Sequence, residues 1–529
     1  MDATAKLDTS KGVLKNFPHK EFRKYQAESI TYIDDYFKKG VKYVVIESPT
    51  GSGKSAVAMT LGLSYQNTFG LTSQKILQDQ YINDFCDNNK VKVLKGRTNY
   101  KCFRRQNTNC SDGCVMVHEC SVAPHNLNCS YVLARSEAFA AKVILLNYNY
   151  FFSAIKLMKK RELLICDEAH KFESILMQHV EFSLSSKFLS KYNVNPNIPS
   201  YYHINDYLKW ISELREDLVE EINALSDEIH ALGSSNLAKP KIKERERLQR
   251  LCENMRGFLT SNEHTEWVYD FKPSKNKKDG VTIVFKPLKV EYFIKEYLEK
   301  TDKKLFMSAT ILDHRIFCKN LGIPPDQVYF LRIPSTFPPE NSPIYYKNIG
   351  KMSFKFIENT FPNMLKVINE ILTEHKNDKG IIHTHSFKIS KHIKDNLKKL
   401  NKDNYKRLIF TESNDRDLDL NRHKEAEYPS VLTSPSMTEG VDLYDDLARF
   451  CILIKIPYPS LADKQVKRRM EVDPDWYTWQ TCYTIVQSVG RGTRHKDDRC
   501  KIYLLDSDFR YYIEKNRRFF PDHFLKAIQ

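Results

Sequence analysis

The sequence has no apolar run near the ~18 residues that a membrane span requires. Its longest candidates, "KVILLNYNYFF" (142–152) and "FCILIKI" (450–456), have the length of buried strands. The start, "MDATAKLDTSKGVLKNF", is polar and lacks the apolar stretch of a signal peptide. There is no low-complexity tail and no internal repeat. These absences lead to the expectation of a soluble, intracellular protein with no membrane partner. Thiols stay reduced there, so a disulfide framework is not expected. Acid is in deficit: 66 Asp and Glu stand against 82 Lys and Arg, a formal net charge of +16. That excess favours nucleic acid as a partner. The other reading of the charge is compositional bias, since Lys, Asn, Ile and Tyr are plentiful and Gly numbers only 17. A hydrophobic content of 41% over 529 residues is enough for several ordinary cores, or ~3 or 4 domains.

Three of the few glycines fall in "KYVVIESPTGSGKSAVAMTLGL" (42–63). A β-branched strand, a glycine turn and a run of helix formers is the context of a phosphate-binding loop. Gly51, Ser52 and Gly53 let backbone amides face a phosphate, and the following helix adds its positive end. Lys54 can reach the β- and γ-phosphates of ATP, and the Ser55 hydroxyl can ligate Mg²⁺. Ser48 stands where glycine is commonest in such loops. A second acidic centre is "RELLICDEAHKFES" (161–174), an apolar strand ending in Asp167 and Glu168. Open α/β sheets bind ligands at the carboxyl ends of their strands. Asp167 can hold the Mg²⁺ and Glu168 can polarise the attacking water. Together the two motifs predict an ATPase.

Five of twelve cysteines crowd into "YKCFRRQNTNCSDGCVMVHECSVAPHNLNCSY" (100–131): Cys102, Cys110, Cys114, Cys120 and Cys129. In a reducing compartment such a cluster points to metal binding or redox chemistry. No CxxC pair occurs, which argues against a zinc knuckle. The remaining cysteines, such as Cys166 in its apolar strand, read as packed thiols.

The order of further motifs resembles that of superfamily 2 helicases. "DEAH" (167–170) is followed by "LFMSATI" (305–311), "SMTEGVDL" (436–443) and "QSVGRGTR" (487–494), and preceded by "FRKYQ" (22–26) and "LTSQKILQDQY" (71–81). The flanks "LKGRTNYKC" (94–102) and "CSYVLAR" (129–135), with "LNYNYF" (146–151) and "KIPYP" (455–459), narrow the resemblance to the XPD/DinG-type iron–sulfur DNA helicases. The resemblance implies two RecA-like α/β motor domains with an inserted iron–sulfur domain and a helical arch. Implied boundaries are motor 1 over 1–95, 136–184 and 266–338, the cluster insert over 96–135, the arch over 185–265, and motor 2 over 339–529. Arg23 and Gln26 would read the adenine side. Gln487, Arg491 and Arg494 would meet the γ-phosphate from motor 2. Glu439, Gly440 and Asp442 match the motif between, with Glu439 toward DNA and the other two toward the nucleotide. Ser73, Gln74 and Ser386 would line the DNA path. A [4Fe–4S] cluster takes four thiolates, and the family's spacing favours Cys102, Cys114, Cys120 and Cys129 over Cys110, with zinc the chemical alternative. The implied activity is ATP-driven 5′–3′ movement on single-stranded DNA with unwinding of tailed duplexes. The competing readings are a translocase that strips proteins or R-loops and a silent motor that only binds. The expected protein is a monomer working with replication or repair proteins, in bacterial, archaeal or phage-infected cytoplasm, or in a nucleus if eukaryotic.

Between the motifs, Leu208, Ile211, Leu214, Leu218, Ile222, Leu225, Ile229 and Leu232 recur at spacings of three and four. They predict one helix of ~25 residues, stopped at Gly233, and a second helix after Pro240 in an antiparallel hairpin. The second helix is basic (Lys239, Lys241, Lys243, Arg245, Arg247, Arg250), as a solvated face or a phosphate track.

Overall fold

The structure is a computed structural model. It describes residues 12–85, 90–102, 108–113, 129–232, 237–272, 280–411, 416–437, 443, 445–490, 492–493 and 497–529. Helix α1 (Gln26–Lys38) buries Ile30, Ile33 and Phe37 on one face. Strand β1 (Tyr43–Glu47), buried from Val44 onward, feeds the glycine turn and α2 (Lys54–Ser64). Next come β2 (Thr68–Thr72), α3 (Lys75–Phe85), β3 (Val91–Val93), α4 (Ser130–Ala140), β4 (Val143–Asn147), β5 (Arg161–Asp167) and α5 (Phe172–Val180). An inserted unit holds β6 (Phe182–Ser185), α6 (Asp206–Leu232), α7 (Ala238–Ser261), β7 (Trp267–Lys272) and β8 (Thr282–Pro287). The chain returns through β9 (Thr301–Ser308), α8 (His314–Asn320) and β10 (Val328–Arg332). The second motor carries β11 (Ile344–Tyr346), β12 (Gly380–His383), α9 (Phe387–Leu400), β13 (Leu408–Phe410), α10 (Arg416–Glu425), β14 (Val431–Ser434), β15 (Phe450–Leu453), α11 (Lys464–Val472), α12 (Pro474–Val489) and β16 (Lys501–Leu504).

Two parallel sheets form the motors. The first runs β10-β1-β9-β5-β2-β4-β3 and the second β11-β16-β15-β12-β14-β13. Both are buried on two faces, as continuous apolar strands such as "LLIC" and "FCIL" require. The late strand β9 slots between β1 and β5. Its register sets Ser308 level with Glu47 and Met307 level with Asp167. The glycine turn, the acidic pair and the Ser308–Thr310 turn therefore leave the sheet side by side at one carboxyl edge.

The helical hairpin forms where the apolar spacing places it, with α6 running over 206–232. Gly233 lies outside the described residues. The second helix begins at Ala238, so Pro240 sits in its first turn, where a missing N–H costs nothing. The boundaries 185–265 are too narrow for the insert. Strands β6, β8 and β7 make a separate antiparallel sheet beneath the hairpin, so the unit runs from Phe182 to Pro287. Its core includes Phe182 stacked on Phe285 at 4.9 Å and Phe258 edge-on to Trp267 at 5.1 Å. No described helix is long and apolar enough to cross a membrane.

Helix α11 of the second motor docks on the first motor and its insert. Lys286 Nζ lies 2.8 Å from Asp463, Gln465 Nε2 donates to the Leu288 carbonyl at 2.9 Å, and Arg468 meets Glu266 at 2.7 Å. At the centre Arg469, 2% exposed, pairs with Glu173 of α5, donates to Asn320 Oδ1 at 3.0 Å and lies 4.1 Å from the Trp476 ring centroid. A buried ion pair adds little net stability, but removing one partner strands a charge. Glu173→Ala is expected to cost about 3–5 kcal/mol, read as a lowered thermal midpoint. Replacing both residues, Arg469→Met with Glu173→Leu, should cost much less. Equal losses in the single and double variants would show that the pair does not hold the joint.

Candidate active site

The phosphate loop is shaped by its two glycines. Gly51 and Gly53 take φ of 77° and 81°, a region that side chains disfavour. A Cβ at Gly53 would stand 2.1 Å from Gln26 Nε2. Arg23 and Gln26 hold the turn from outside: Arg23 Nη1 donates to the Gly51 carbonyl at 2.6 Å, and Gln26 Nε2 to the Gly53 carbonyl at 3.1 Å. Lys54 Nζ donates to the carbonyls of Ser48 and Pro49 at 3.1 and 3.3 Å, inside the loop that it would leave for a phosphate. Ser48 has its own work. Its hydroxyl lies 2.7 Å from that of Ser52, and its amide donates to the Ser308 carbonyl at 2.9 Å.

Asp167 is buried at the end of β5. Burial and the adjacent Glu168 push its carboxyl up, with Lys54 acting the other way. The Tyr81 hydroxyl donates to Asp167 Oδ2 at 3.0 Å and stands beside the Ser55 hydroxyl. A buried carboxylate facing a hydroxyl is a donor set that suits Mg²⁺, and the ion's charge would relieve the burial cost. Glu168 sits in the left-handed region at φ 51°. Strained backbone of this kind clusters at active sites, and here it turns the carboxylate out of the strand line. His170 Nδ1 lies 2.7 Å from Ser308 Oγ, joining the acidic pair to the turn after β9. Across the cleft, Gln487 Nε2 donates to Thr310 Oγ1 at 2.6 Å, and Trp479 Nε1 to the Ile311 carbonyl at 2.9 Å.

These groups wall a cavity of about 1720 Å³ between the two motors. Arg23, Gln26, Gly51, Gly53, Lys54, Ser55, Asp167 and Glu168 line it from motor 1, and Gln487 from motor 2. The structure thus gathers these nine of the expected nucleotide residues on one cavity. Ser73 and Gln74, expected on the DNA path, line this same cavity. Ser386 caps α9, accepting from the Ile389 amide at 3.5 Å. Arg491, Arg494, Glu439, Gly440, Asp442, Cys114 and Cys120 lie outside the described residues.

Residue patterns in the Helicase C-terminal domain family match residues 368–526, and those of the family described as Type III restriction enzyme, res subunit, match residues 19–207. The ATP-dependent DNA helicase YoaA of Haemophilus influenzae is 24% identical over 88% of this chain and 88% of its own. A solved XPD helicase superposes with a TM-score of 0.68 at 16% identity, over 94% of this chain and 98% of its own. The chain is a superfamily 2 helicase of the XPD/DinG type. A second solved structure, S. tokodaii Xpd4, superposes with a TM-score of 0.57 at 16% identity, over 96% and 99% of the two chains.

Five residues at the site escape a reading by motif alone. Glu47 is buried, pairs with Arg332 Nε at 2.9 Å and accepts from the Ile311 amide at 2.8 Å. It ties β1 to the turn after β9, and its only sequence signal is a carboxylate at the end of an apolar strand. His170 was visible as the last letter of DEAH, without a role. Arg416, with Asn421 and Lys424 of α10, lines the cavity from motor 2, and no motif marks that helix.

In the cysteine segment, Cys110 N donates to the Tyr100 carbonyl and Cys102 N to the Thr108 carbonyl at 2.9 Å, while Lys101 bridges to Asn109. Ser130 Oγ donates to the Lys101 carbonyl at 2.9 Å, which brings the start of α4 and Cys129 alongside. Cys110 is buried, and its thiol is pushed up to about 11 by burial and the neighbouring Cys129 thiol, with Cys102 adding to it. Among the described residues no three His, Cys, Asp or Glu side chains are gathered to hold a single metal ion. Cys166, Cys252, Cys318, Cys451, Cys482 and Cys500 are buried free thiols, as expected.

Lys54→Ala should lower ATP turnover at least a hundredfold without loss of fold, because it removes the charge that would cradle the phosphates. Glu168→Gln should keep nucleotide binding and lose hydrolysis. Near-normal steady-state turnover in either variant would refute the assignment.

Proposed function

We propose that this helicase couples ATP hydrolysis to 5′–3′ movement on single-stranded DNA and unwinds duplexes with a 5′ tail. The observation that carries the reading is the cleft whose two walls belong to different motors and meet at Gln487 and Thr310. ATP bound there would lie on Gly51–Ser55, with Lys54 on its terminal phosphates. Ser55 and Asp167 would hold Mg²⁺, which supplies charge neutralisation. Glu168 would orient the attacking water, and Gln487, Arg491 and Arg494 would complete the site from motor 2. Positioning and charge do most of the chemistry in phosphoryl transfer, so a change in how the two walls meet is enough to gate it. The DNA residues proposed are Ser73, Gln74, Ser386 and Glu439. The basic charge supports that partner.

The segment 96–135 is proposed to hold a [4Fe–4S] cluster, and the inserted hairpin to be the arch. A bound cluster would supply cross-links that brace the segment. Cys102 and Cys129 are the outer ligands. The sequence favours Cys114 and Cys120 for the other two places, but Cys110 is buried, on backbone whose hydrogen bonds fold it back alongside Cys102, and we propose it for one of them. Cys110→Ser is therefore expected to lose iron and the broad visible absorbance of anaerobically purified protein. Four irons retained in Cys110→Ser would return the set to Cys102, Cys114, Cys120 and Cys129. Zinc in place of iron would remove the cluster altogether.

Polarity is tested with labelled duplexes that differ only in their tail. Unwinding of the 5′-tailed duplex, with none of the 3′-tailed one, is expected. Higher salt should weaken loading, because phosphate contacts release counterions. Unwinding of the 3′-tailed substrate alone would refute the direction while leaving the ATPase intact.

A further inference from the structure

We propose that Phe354 and Phe387 form a base-stacking platform for single-stranded DNA at the carboxyl edge of the second motor's sheet. The two edges of that sheet face different surroundings. Ile344 and Ile502, at the starts of β11 and β16, line the nucleotide cavity, so the amino edge is turned to ATP. The opposite edge is where Phe387 follows β12 and the segment 347–356 follows β11. Phe354 is 91% exposed and Phe387 63%. Scattered exposed aromatics are ordinary, but these two flank one cation: Lys388, next to Phe387, places its Nζ 5.8 Å from the Phe354 ring centroid.

The loop that presents Phe354 is pinned. Thr360 Oγ1 donates to the Lys351 carbonyl at 2.9 Å, Ser507 N to the Gly350 carbonyl at 3.1 Å, and Asn363 Nδ2 to the Ile349 carbonyl at 3.0 Å. Gly350, at φ 106°, makes the turn. The ring is therefore held out by bonded backbone, at no gain in burial. The charge around it selects the occupant. "KNIGKMSFKF" (347–356) contains Lys347, Lys351 and Lys355 and no acid. Lys388 pairs with Glu358, and Lys351 lies 3.6 Å from Asp508. Exposed pairs of this kind are weak, so a phosphate can take either lysine. Rings separated by lysines do not make the contiguous apolar patch that a protein partner needs. They do match a strand whose bases stack and whose phosphates alternate with them.

The inference rests on the DNA reading above, and the test separates the two. Affinity for an oligo-dT strand is measured by fluorescence anisotropy without nucleotide, and base stacking by quenching of 2-aminopurine in the same strand. Both rings are exposed, so F354A/F387A should melt like the wild type. It should bind about 5- to 100-fold more weakly, lose the 2-aminopurine signal and keep the wild-type salt slope. F354W/F387W should restore binding. K355Q/K388Q should instead flatten the salt slope. Wild-type affinity and quenching in F354A/F387A would overturn the platform alone and leave the surface to a protein partner. A wild-type chain that does not bind DNA would overturn the functional reading, and the platform with it.

Discussion

The position of β9 is the constraint on which the site depends. It arrives about 130 residues of sequence after β5 and enters the sheet between β5 and β1. Only then do the glycine turn, the acidic pair and the Ser308–Thr310 turn share an edge. Three contacts fix the alignment: the Ser48 amide on the Ser308 carbonyl, His170 on Ser308 Oγ, and Glu47 on the backbone of Ile311. Ser48 and Glu47 belong to β1 and its turn, His170 to the turn after β5. A change in the Ser308–Thr310 turn is therefore felt by the loop that would hold the phosphates and by the carboxylates that would hold the metal and the water. Because Thr310 also accepts from Gln487, the same turn reports the position of the second motor.

The two motors are joined unevenly. On one side α11 packs on α5, α8 and the sheet of the insert through a buried guanidinium, an indole and several ion pairs. On the other side lies the large polar cavity. Close-packed, complementary contacts resist separation, because opening them leaves voids that no neighbouring atoms fill. Polar walls facing solvent resist much less. Relative motion of the motors is thus cheapest as a rotation about the α11 joint that widens or narrows the cleft, rather than as separation of the whole interface. Glu173 lies on α5, which directly follows the DEAH turn, so the joint grips an element one step from Glu168.

The legible parts of this architecture are those set by local rules. Apolar strands ending in chemistry-bearing residues identified β1 and β5. Spacing of three and four residues located α6 to within two residues of its start. The parts that stayed hidden depend on pairing across long stretches of chain. The four-residue β6, "FSLS", is too short to read as a strand until β8 pairs with it, and without that sheet the insert looked like a hairpin alone. Glu47 reads as an ordinary strand end, because its partners, Ile311 and Arg332, are more than 260 residues away. Cys110 sits in a polar run that gave no reason to bury it. The hydrogen bonds between 100–102 and 108–110 are what fold it back toward Cys102 and Cys129. Ser48, a departure from the commonest loop sequence, proved to be a link to the neighbouring strand.

The second motor offers two chemically different edges of one parallel sheet. Every strand in it points the same way, so its two edges differ in every backbone group that they present. The amino edge, together with α10 and the end of α12, faces the nucleotide cavity. The carboxyl edge, with the turns after β11, β12, β15 and β16, faces away from it. A rigid sheet transmits a rotation from one edge to the other without needing a chain of side-chain switches, because close-packed strands such as "FCIL" and "KIYL" cannot absorb the displacement. Events at the amino edge then move anything held at the carboxyl edge by a distance set by strand length alone. Four residues of parallel strand span about 13 Å, enough to separate what the two edges would hold and short enough to keep the coupling stiff.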